Sequence, residues 1–466
     1  MYTITYTLSL EELWHNVRAQ ISCQLFNVFS KILTIIPHEI ENRFKSKPTF
    51  FSRTPVLTFP RLITFLLSIV SNGKSDGVAI KIDDFFSHAK KLGLWLDITS
   101  IGRSAISKAR NKIKWEAFRN ILKKSTTIAY ECWQDTPSDT WHDLSVYAID
   151  GSYHTLPATL KIRDAFDPSS GFDKKGKGHY PQCLVTLAFD VLRKIPIDLT
   201  VTSIHSDETA QATQQLIPSI PAGGVLLFDR GYQGYQFIDS VANYDGYFVL
   251  RNKSTCTFKV VEDFIKSNKA QDQIVFKPNE RYLYKSAGKT FYSHEITLRI
   301  IRIENKEGET SVLITNLLDS KRYTMKAIID LYFMRWEIET FYRDNKCTIE
   351  IEQFHSKSVN GIQQEFYAAA IMSLISRIAM NCTRLFDEIK NVAPQFKNAL
   401  RKMSNNAALL VSNNALIAYS YFLEILEQIN RVKYYKPKEK RPSQIRICKK
   451  EQNKWILNRM RIKCQF

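Results

Sequence analysis

The sequence has no apolar run long enough to span a bilayer. The longest, Leu62–Val70, is interrupted by Thr64 and Ser68 and falls far short of the roughly 20 residues that a transmembrane helix needs. The opening stretch, Met1-Tyr-Thr-Ile-Thr-Tyr-Thr-Leu-Ser-Leu-Glu11, lacks the basic segment and continuous apolar core of a signal peptide, so the chain reads as intracellular. Eight cysteines are scattered without a C-x-x-C pair or paired histidines nearby, which fits reduced thiols rather than a locally spaced zinc site. With 16 Gly and 15 Pro the composition is neither collagen-like nor of low complexity. Acidic residues are in deficit: 46 Asp plus Glu stand against 65 Lys plus Arg, for a net charge of +19. That excess implies a polyanionic partner, although charge alone does not separate nucleic acid from a membrane surface.

At 466 residues, 44% of them hydrophobic and 24% charged, the chain is expected to fold into about two to four domains. From residue 10 to about 135 apolar residues recur at three- and four-residue spacing, the period of amphipathic helices. Within this stretch, Ile98–Ile113 sets a Gly-containing turn before a helix whose exposed positions carry Ser107, Lys108, Arg110, Asn111 and Lys112. It suits a helix-turn-helix reader or, equally, a solvated basic face.

From about 141 the pattern shifts to short β-rich runs at 145–149, 182–189, 195–201 and 225–228, with a helix expected over 207–217. Three strands, a helix and a wholly apolar fourth strand point to a mixed sheet with a buried parallel part. After 247–250, residues 252–312 read as an antiparallel β insertion with turn signals. A long helix follows, from a Thr324 cap to about Cys347, and another spans 362–385. Residues 431–466 hold 13 Lys or Arg against two acidic residues, either a basic arm or a disordered solubilising tail.

Two apolar strands run into aspartate, at Asp150-Gly-Ser and Asp229-Arg-Gly-Tyr. A carboxylate just beyond such a strand sits at the sheet's carboxyl edge and can hold a cation, but both segments are also ordinary turn starters. On the long helix Tyr332, Arg335, Glu339 and Lys346 fall on one stripe at 3.6 residues per turn. Three carboxylates suit a pair of Mg²⁺ ions clamping an in-line phosphoryl displacement, while the neighbouring cations would hold phosphate without reading sequence. Glu208 reads mainly as a helix-start residue favoured by the dipole, with a place just behind the three carboxylates as the alternative, and His142, His154, His179 and His205 share no ligand spacing.

The spacing of Tyr332, Arg335, Glu339 and Lys346 resembles the Y-R-E-K signature of bacterial insertion-sequence transposases of the IS-four group, which are DDE-type enzymes. The segments around Asp150 and Asp229 resemble that group's two aspartate motifs, and Ser104–Arg110 with Trp115–Phe118 resembles its N-terminal region. The resemblance implies an α/β fold: an RNase H-like mixed-sheet catalytic core over 141–386 with a β-rich insertion at about 252–312, a helical N-terminal DNA-binding domain over 1–140, and a basic, partly helical C-terminal region over 387–466. It implies Asp150, Asp229 and Glu339 as catalytic metal ligands for Mg²⁺, with Mn²⁺ able to substitute, and Tyr332, Arg335 and Lys346 as DNA contacts. It further implies cut-and-paste transposition at terminal inverted repeats of double-stranded DNA, hairpin formation in some members, a homodimer in the synaptic complex, and action at the bacterial nucleoid in the cytoplasm. An RNase H-like nuclease without strand transfer and an inactive DNA-binding descendant are the rival readings. One departure stands out: relatives stack a flipped base on a tryptophan of the β insertion, and this chain has no Trp between Trp141 and Trp336. Phe276, Tyr282, Tyr284, Phe291 and Tyr292 offer other aromatic faces, for stacking or for core packing.

Overall fold

The structure, a computed structural model, describes residues 31, 40–41, 43–51, 56–70, 77–98, 101–133, 138–172, 178–232, 234–253, 258–277, 295–304, 310–384, 392–411 and 415–435. The chain divides into two compact units: residues 134–154 and 163–344 form one, and residues 1–133, 155–162 and 345–466 the other.

The first unit is built on a mixed sheet. Its strands are β1 (Val146–Thr155), a small hairpin of β2 (Gly171–Phe172) and β3 (Gly178–His179), then β4 (Gln182–Asp190), β5 (Ile195–Ser203), β6 (Val225–Phe228), β7 (Tyr247–Lys253), β8 (Gln271–Phe276), β9 (Ile296–Glu304) and β10 (Thr310–Thr315). Leaving out the hairpin, the eight strands are ordered β5-β4-β1-β6-β7-β10-β9-β8. The pairs β1–β6 and β6–β7 are parallel, whereas β4–β5, β7–β10, β10–β9 and β9–β8 are antiparallel. This is a mixed sheet with a buried parallel centre, as the sequence pattern leads one to expect, and the strands of 271–315 extend its far edge.

The parallel centre explains the wholly apolar run at 225–228. Val225, Leu226, Leu227 and Phe228 are fully buried, as expected of a strand covered on both faces, and each such side chain contributes about 1.5–3 kcal/mol of transfer free energy. The segment expected as one helix over 207–217 is instead a short α-helix, Glu208–Gln211, which widens to a π turn over Ala212–Leu216 and tightens to a 3₁₀ turn over Ile217–Ser219. Pro218 lies in that last turn, where a missing N–H and a fixed φ oppose α-helix.

In the second unit the described elements before residue 133 are helices: Phe59–Ile69, Val78–Lys91, Arg103–Arg110 and Glu116–Cys132, besides an isolated bridge between Lys45 and Ile113. After 345 come Val359–Arg384, Phe396–Asn405 and Ala415–Arg431, and a small pairing of β11 (Val392–Pro394) with β12 (Lys433–Tyr435). Within Val359–Arg384, residues 359–383 are long and apolar enough by composition to cross a membrane, but 94% of the apolar window is buried inside the protein. It is a core helix.

The helix after Gly102 corrects one expectation. Ser107 and Lys108 are exposed, but Arg110 is only 7% exposed. It pairs with Glu365 at 2.9 Å and donates to Gln364 and to the carbonyl of Gly361. Lys112 is half-buried, its ammonium over the rings of Phe50 and Phe51. The basic segment from 436 onward lies outside the described residues.

Candidate active site

Asp150 does not end its strand as expected, since β1 continues to Thr155. It lies just past the stretch paired with β6, where Val146 faces Val225 and Ala148 faces Leu227 in parallel register. Continuing that register by two residues brings Asp150 level with Asp229, which follows Phe228 at the end of β6. Neighbouring strands lie about 4.8 Å apart, so the sheet itself sets the two carboxylates side by side.

Each aspartate is fixed by its own turn. The Asp150 carboxylate accepts from the N–H of Gly151 at 2.9 Å, and Asp229 accepts from the N–H of Gly231 at 2.7 Å. The hydroxyl of Tyr342 lies 2.7 Å from the Asp150 carbonyl and 3.0 Å from that of Val185, tying the last helix of this unit to the sheet. Burial pushes the Asp150 carboxyl up to about 7; Arg335 opposes the rise, while Asp229 and Glu208 add to it.

The expected single helix from Thr324 is two. Thr324 caps Met325–Phe333 by accepting from the N–H of Ala327, and a second helix spans Trp336–Arg343. Between them the bonds tighten to i→i+3 type, Arg335 N–H to Tyr332 and Ile338 N–H to Arg335. Arg335 sits at this break and is 6% exposed. Its guanidinium donates to Asp150 at 3.0 Å and to Glu339 at 3.2 Å. Asp150, Glu339, Tyr332 and Asp229 all act on its charge, so the three carboxylates are gathered around one cation. Tyr332 is 2% exposed, and its phenol is raised by burial against the opposing pull of Arg335 and Arg251. Lys346 lies in a π turn, Asp344–Thr348, and belongs to the other unit; the chain does not carry all four residues on one continuous α-helical stripe.

Glu208 is the residue that sequence reasoning undervalued. The helix cap here is Asp207, which accepts from the N–H of Thr209 at 2.9 Å. The Glu208 carboxylate instead lies against Gly151, where a Cβ would stand 2.7 Å from its Cδ. It accepts from the Tyr232 hydroxyl at 2.5 Å. Burial raises its pKa, the Tyr232 hydrogen bond opposes this, and Asp229 adds to the rise. No spacing in the sequence marks Glu208, because the helix that carries it is brought to β1 only by the fold.

Comparison with known proteins shows the family of the segment that carries these residues. Residues 141–375 match the family described as Transposase DDE domain. The chain belongs to this family. It is 24% identical over 284 residues to "Transposase InsG for insertion sequence element IS4" of Escherichia coli, covering 60% of this chain and 61% of that protein. It is 30% identical over 189 residues to "Putative transposase y4zB" of Sinorhizobium fredii, covering 41% and 50%. The chain thus spans less than two thirds of the length of either relative. Among solved structures, a piggyBac transposase synaptic complex with hairpin DNA aligns at 12% identity with a TM-score of 0.41, over 92% of this chain and 87% of that one.

Membership in the DDE-domain family implies use of a divalent metal. Among the described residues no three acidic, imidazole or thiol groups stand ready to enclose an ion, and Arg335 pairs with Asp150 and Glu339. The donor chemistry nevertheless fits: Asp150, Asp229 and Glu339 offer hard carboxylate oxygens, and the crowded negative charge that lifts Asp150 favours a cation. The histidines each have their own surroundings. His179 bonds Asp167, His154 packs against Tyr342, His142 packs against Trp141 and Tyr323, and His205 is exposed. Phe276 is 1% exposed and stacks on Tyr235, a core role; Tyr282, Tyr284, Phe291 and Tyr292 lie outside the described residues.

Proposed function

We propose that the chain is a DNA transposase that moves an insertion sequence by cutting and rejoining DNA phosphodiesters at terminal inverted repeats. The observation that carries this reading is the gathering of Asp150, Asp229 and Glu339 around Arg335 within the segment that matches the DDE family. In this reading those three carboxylates hold two Mg²⁺ ions, or Mn²⁺ in substitution, which when bound polarise the scissile phosphate and stabilise the attacking and leaving oxygens.

The chain's own groups do the rest. The register between β1 and β6 fixes the separation of Asp150 and Asp229, and Tyr342 anchors the backbone of Asp150. Tyr332, Arg335 and Lys346 contact phosphates of the DNA end, as charge and hydrogen-bond donors that position without reading bases. Residues 1–140 and the basic segment 387–466 bind the duplex, residues 141–386 perform the chemistry, and two copies pair in the synaptic complex at the nucleoid.

The test is Mg²⁺-dependent cleavage of labelled DNA carrying candidate element ends, with wild type and Glu339→Ala compared after both are shown to bind that DNA. Nicking at the element boundary by wild type alone supports the reading. Equal cutting by Glu339→Ala removes Glu339 from catalysis, and binding without cutting by either protein removes the enzymatic reading.

A further inference from the structure

We infer that Glu208 is a positioning residue of the cation site: held by the Tyr232 hydroxyl against Gly151, it adds a fourth carboxylate that strengthens divalent-cation binding at Asp150 and Asp229. The inference rests on the reading of those aspartates as metal ligands.

Three observations carry it. The first is the Tyr232 bond, 2.5 Å from hydroxyl to Glu208 Oε1, within the range of an O–H donor on a carboxylate. Burial raises the phenol well above its ordinary range, so Tyr232 remains a donor at neutral pH. The second is the rigidity of that donor. The Tyr232 ring is 1% exposed, and its centroid lies 5.3 Å from those of both Phe228 and Phe237, which themselves meet edge to face at 4.9 Å. Phe228 ends β6 immediately before Asp229, so the strand that places one aspartate also places the anchor of Glu208. The third is space. Position 151 is glycine, and a Cβ there would come within 2.7 Å of the Glu208 carboxylate; any side chain would force that carboxylate to shift. A carboxylate so close to two others is costly unless cationic charge is present to share it. Arg335 is paired with Asp150 and Glu339, whereas the hydrogen bond that holds the Glu208 carboxylate comes from a neutral phenol.

A purely structural hydrogen bond between Glu208 and Tyr232 would stabilise the fold without touching cation affinity, and the two roles separate on direct metal binding. Mn²⁺ is titrated into the full chain without DNA, and free Mn²⁺ is read by electron paramagnetic resonance. Melting temperature is recorded for every protein. Glu208→Gln keeps the shape and removes the charge, and it is expected to weaken Mn²⁺ binding about tenfold, the scale of outer-shell substitutions. Tyr232→Phe should weaken it in the same direction by a smaller factor. Gly151→Ala displaces the carboxylate without removing it, so it carries the test if Glu208→Gln fails to fold. The double variant Gly151→Ala with Glu208→Gln should bind Mn²⁺ no more weakly than Glu208→Gln alone. Wild-type Mn²⁺ affinity in folded Glu208→Gln and Gly151→Ala, with binding lost in Asp150→Asn, overturns the role of Glu208 while sparing that of Asp150. Wild-type affinity in Asp150→Asn overturns both.

Discussion

Arg335 stands 3.0 Å from the carboxylate of Asp150, on a helix break that meets the central strand of the sheet. The other guanidinium nitrogen reaches Glu339 at 3.2 Å, so this side chain brings positive charge to both carboxylates. Removing it from a buried pair costs several kcal/mol in general. Here protonation of Asp150 limits the loss, and the half-exposed Glu339 contributes little. Arg335→Gln is therefore expected to destabilise the metal-free protein by about 2 kcal/mol at pH 8, yet to gain more stability on adding Mn²⁺ than wild type does, because a competing cation is gone. Thermal melts with and without Mn²⁺ check this; an equal or smaller Mn²⁺ shift in the variant would show that Arg335 does not compete with metal.

Asp150 sets a pH dependence whose sign is opposite to that of most carboxylates. Its folded pKa of about 7 lies above the unfolded value of about 3.9, so the folded state holds this proton more tightly. The group's cost is absent below about pH 4, grows as pH rises, and is complete above pH 7. Asp150→Asn cannot ionise and should be more stable than wild type at pH 8 in the presence of a chelator, by up to about 4 kcal/mol from a shift of that size. The gap should close toward pH 4. Urea denaturation across that range decides it, and a variant less stable than wild type at pH 8 contradicts the assigned burial.

Asp167 behaves in the ordinary direction. It is fully buried, which by itself raises its pKa, but hydrogen bonds from Ser169, the Gln182 N–H and His179 outweigh burial and hold it below the usual range. Its stabilisation is present above the unfolded pKa and is lost as pH falls through the lower folded value. Asp167→Asn should cost about 1–3 kcal/mol at pH 7 and progressively less below about pH 4. A constant difference at all pH values would mean that the loss is one of shape rather than charge.

What the sequence disclosed and what it withheld divide along a physical line. The run 225–228 was legible to the residue because four consecutive apolar side chains bounded by Gly224 and Asp229 have one economical use, a strand buried on both faces. β1 was read too short, since Asp150, Gly151 and Ser152 look like a turn when their partners on the neighbouring strands are unknown. The break at Met334 and Arg335 has no proline or glycine to announce it; Arg335 bonds a residue far away in the chain. The two aspartate motifs and the Arg335–Glu339 spacing were visible because their spacing is local, i to i+4 in the latter case. Glu208 was not, because its partners Gly151 and Tyr232 lie on other elements.

The same distinction separates two basic residues on one short helix. Arg110 and Lys108 both lie near the end of Arg103–Arg110, and periodicity alone gives both to an exposed face, either DNA-reading or merely solvated. Arg110 is instead buried against Glu365, whose carboxylate also accepts from the N–H groups of His355 and Ser356. Arg110→Met removes the guanidinium from a buried carboxylate that keeps its backbone donors and His355, and is expected to cost about 2–4 kcal/mol of stability. The folded fraction should still bind DNA as wild type does. Lys108 is exposed, so Lys108→Ala should leave stability within about 0.5 kcal/mol. If this helix meets phosphate, Lys108→Ala weakens DNA binding and lowers the slope of log affinity against log salt by about one. Urea denaturation paired with DNA titration at several salt concentrations resolves both effects. A loss of affinity in folded Arg110→Met, with none in Lys108→Ala, would return the buried arginine to the DNA interface and place the exposed one outside it.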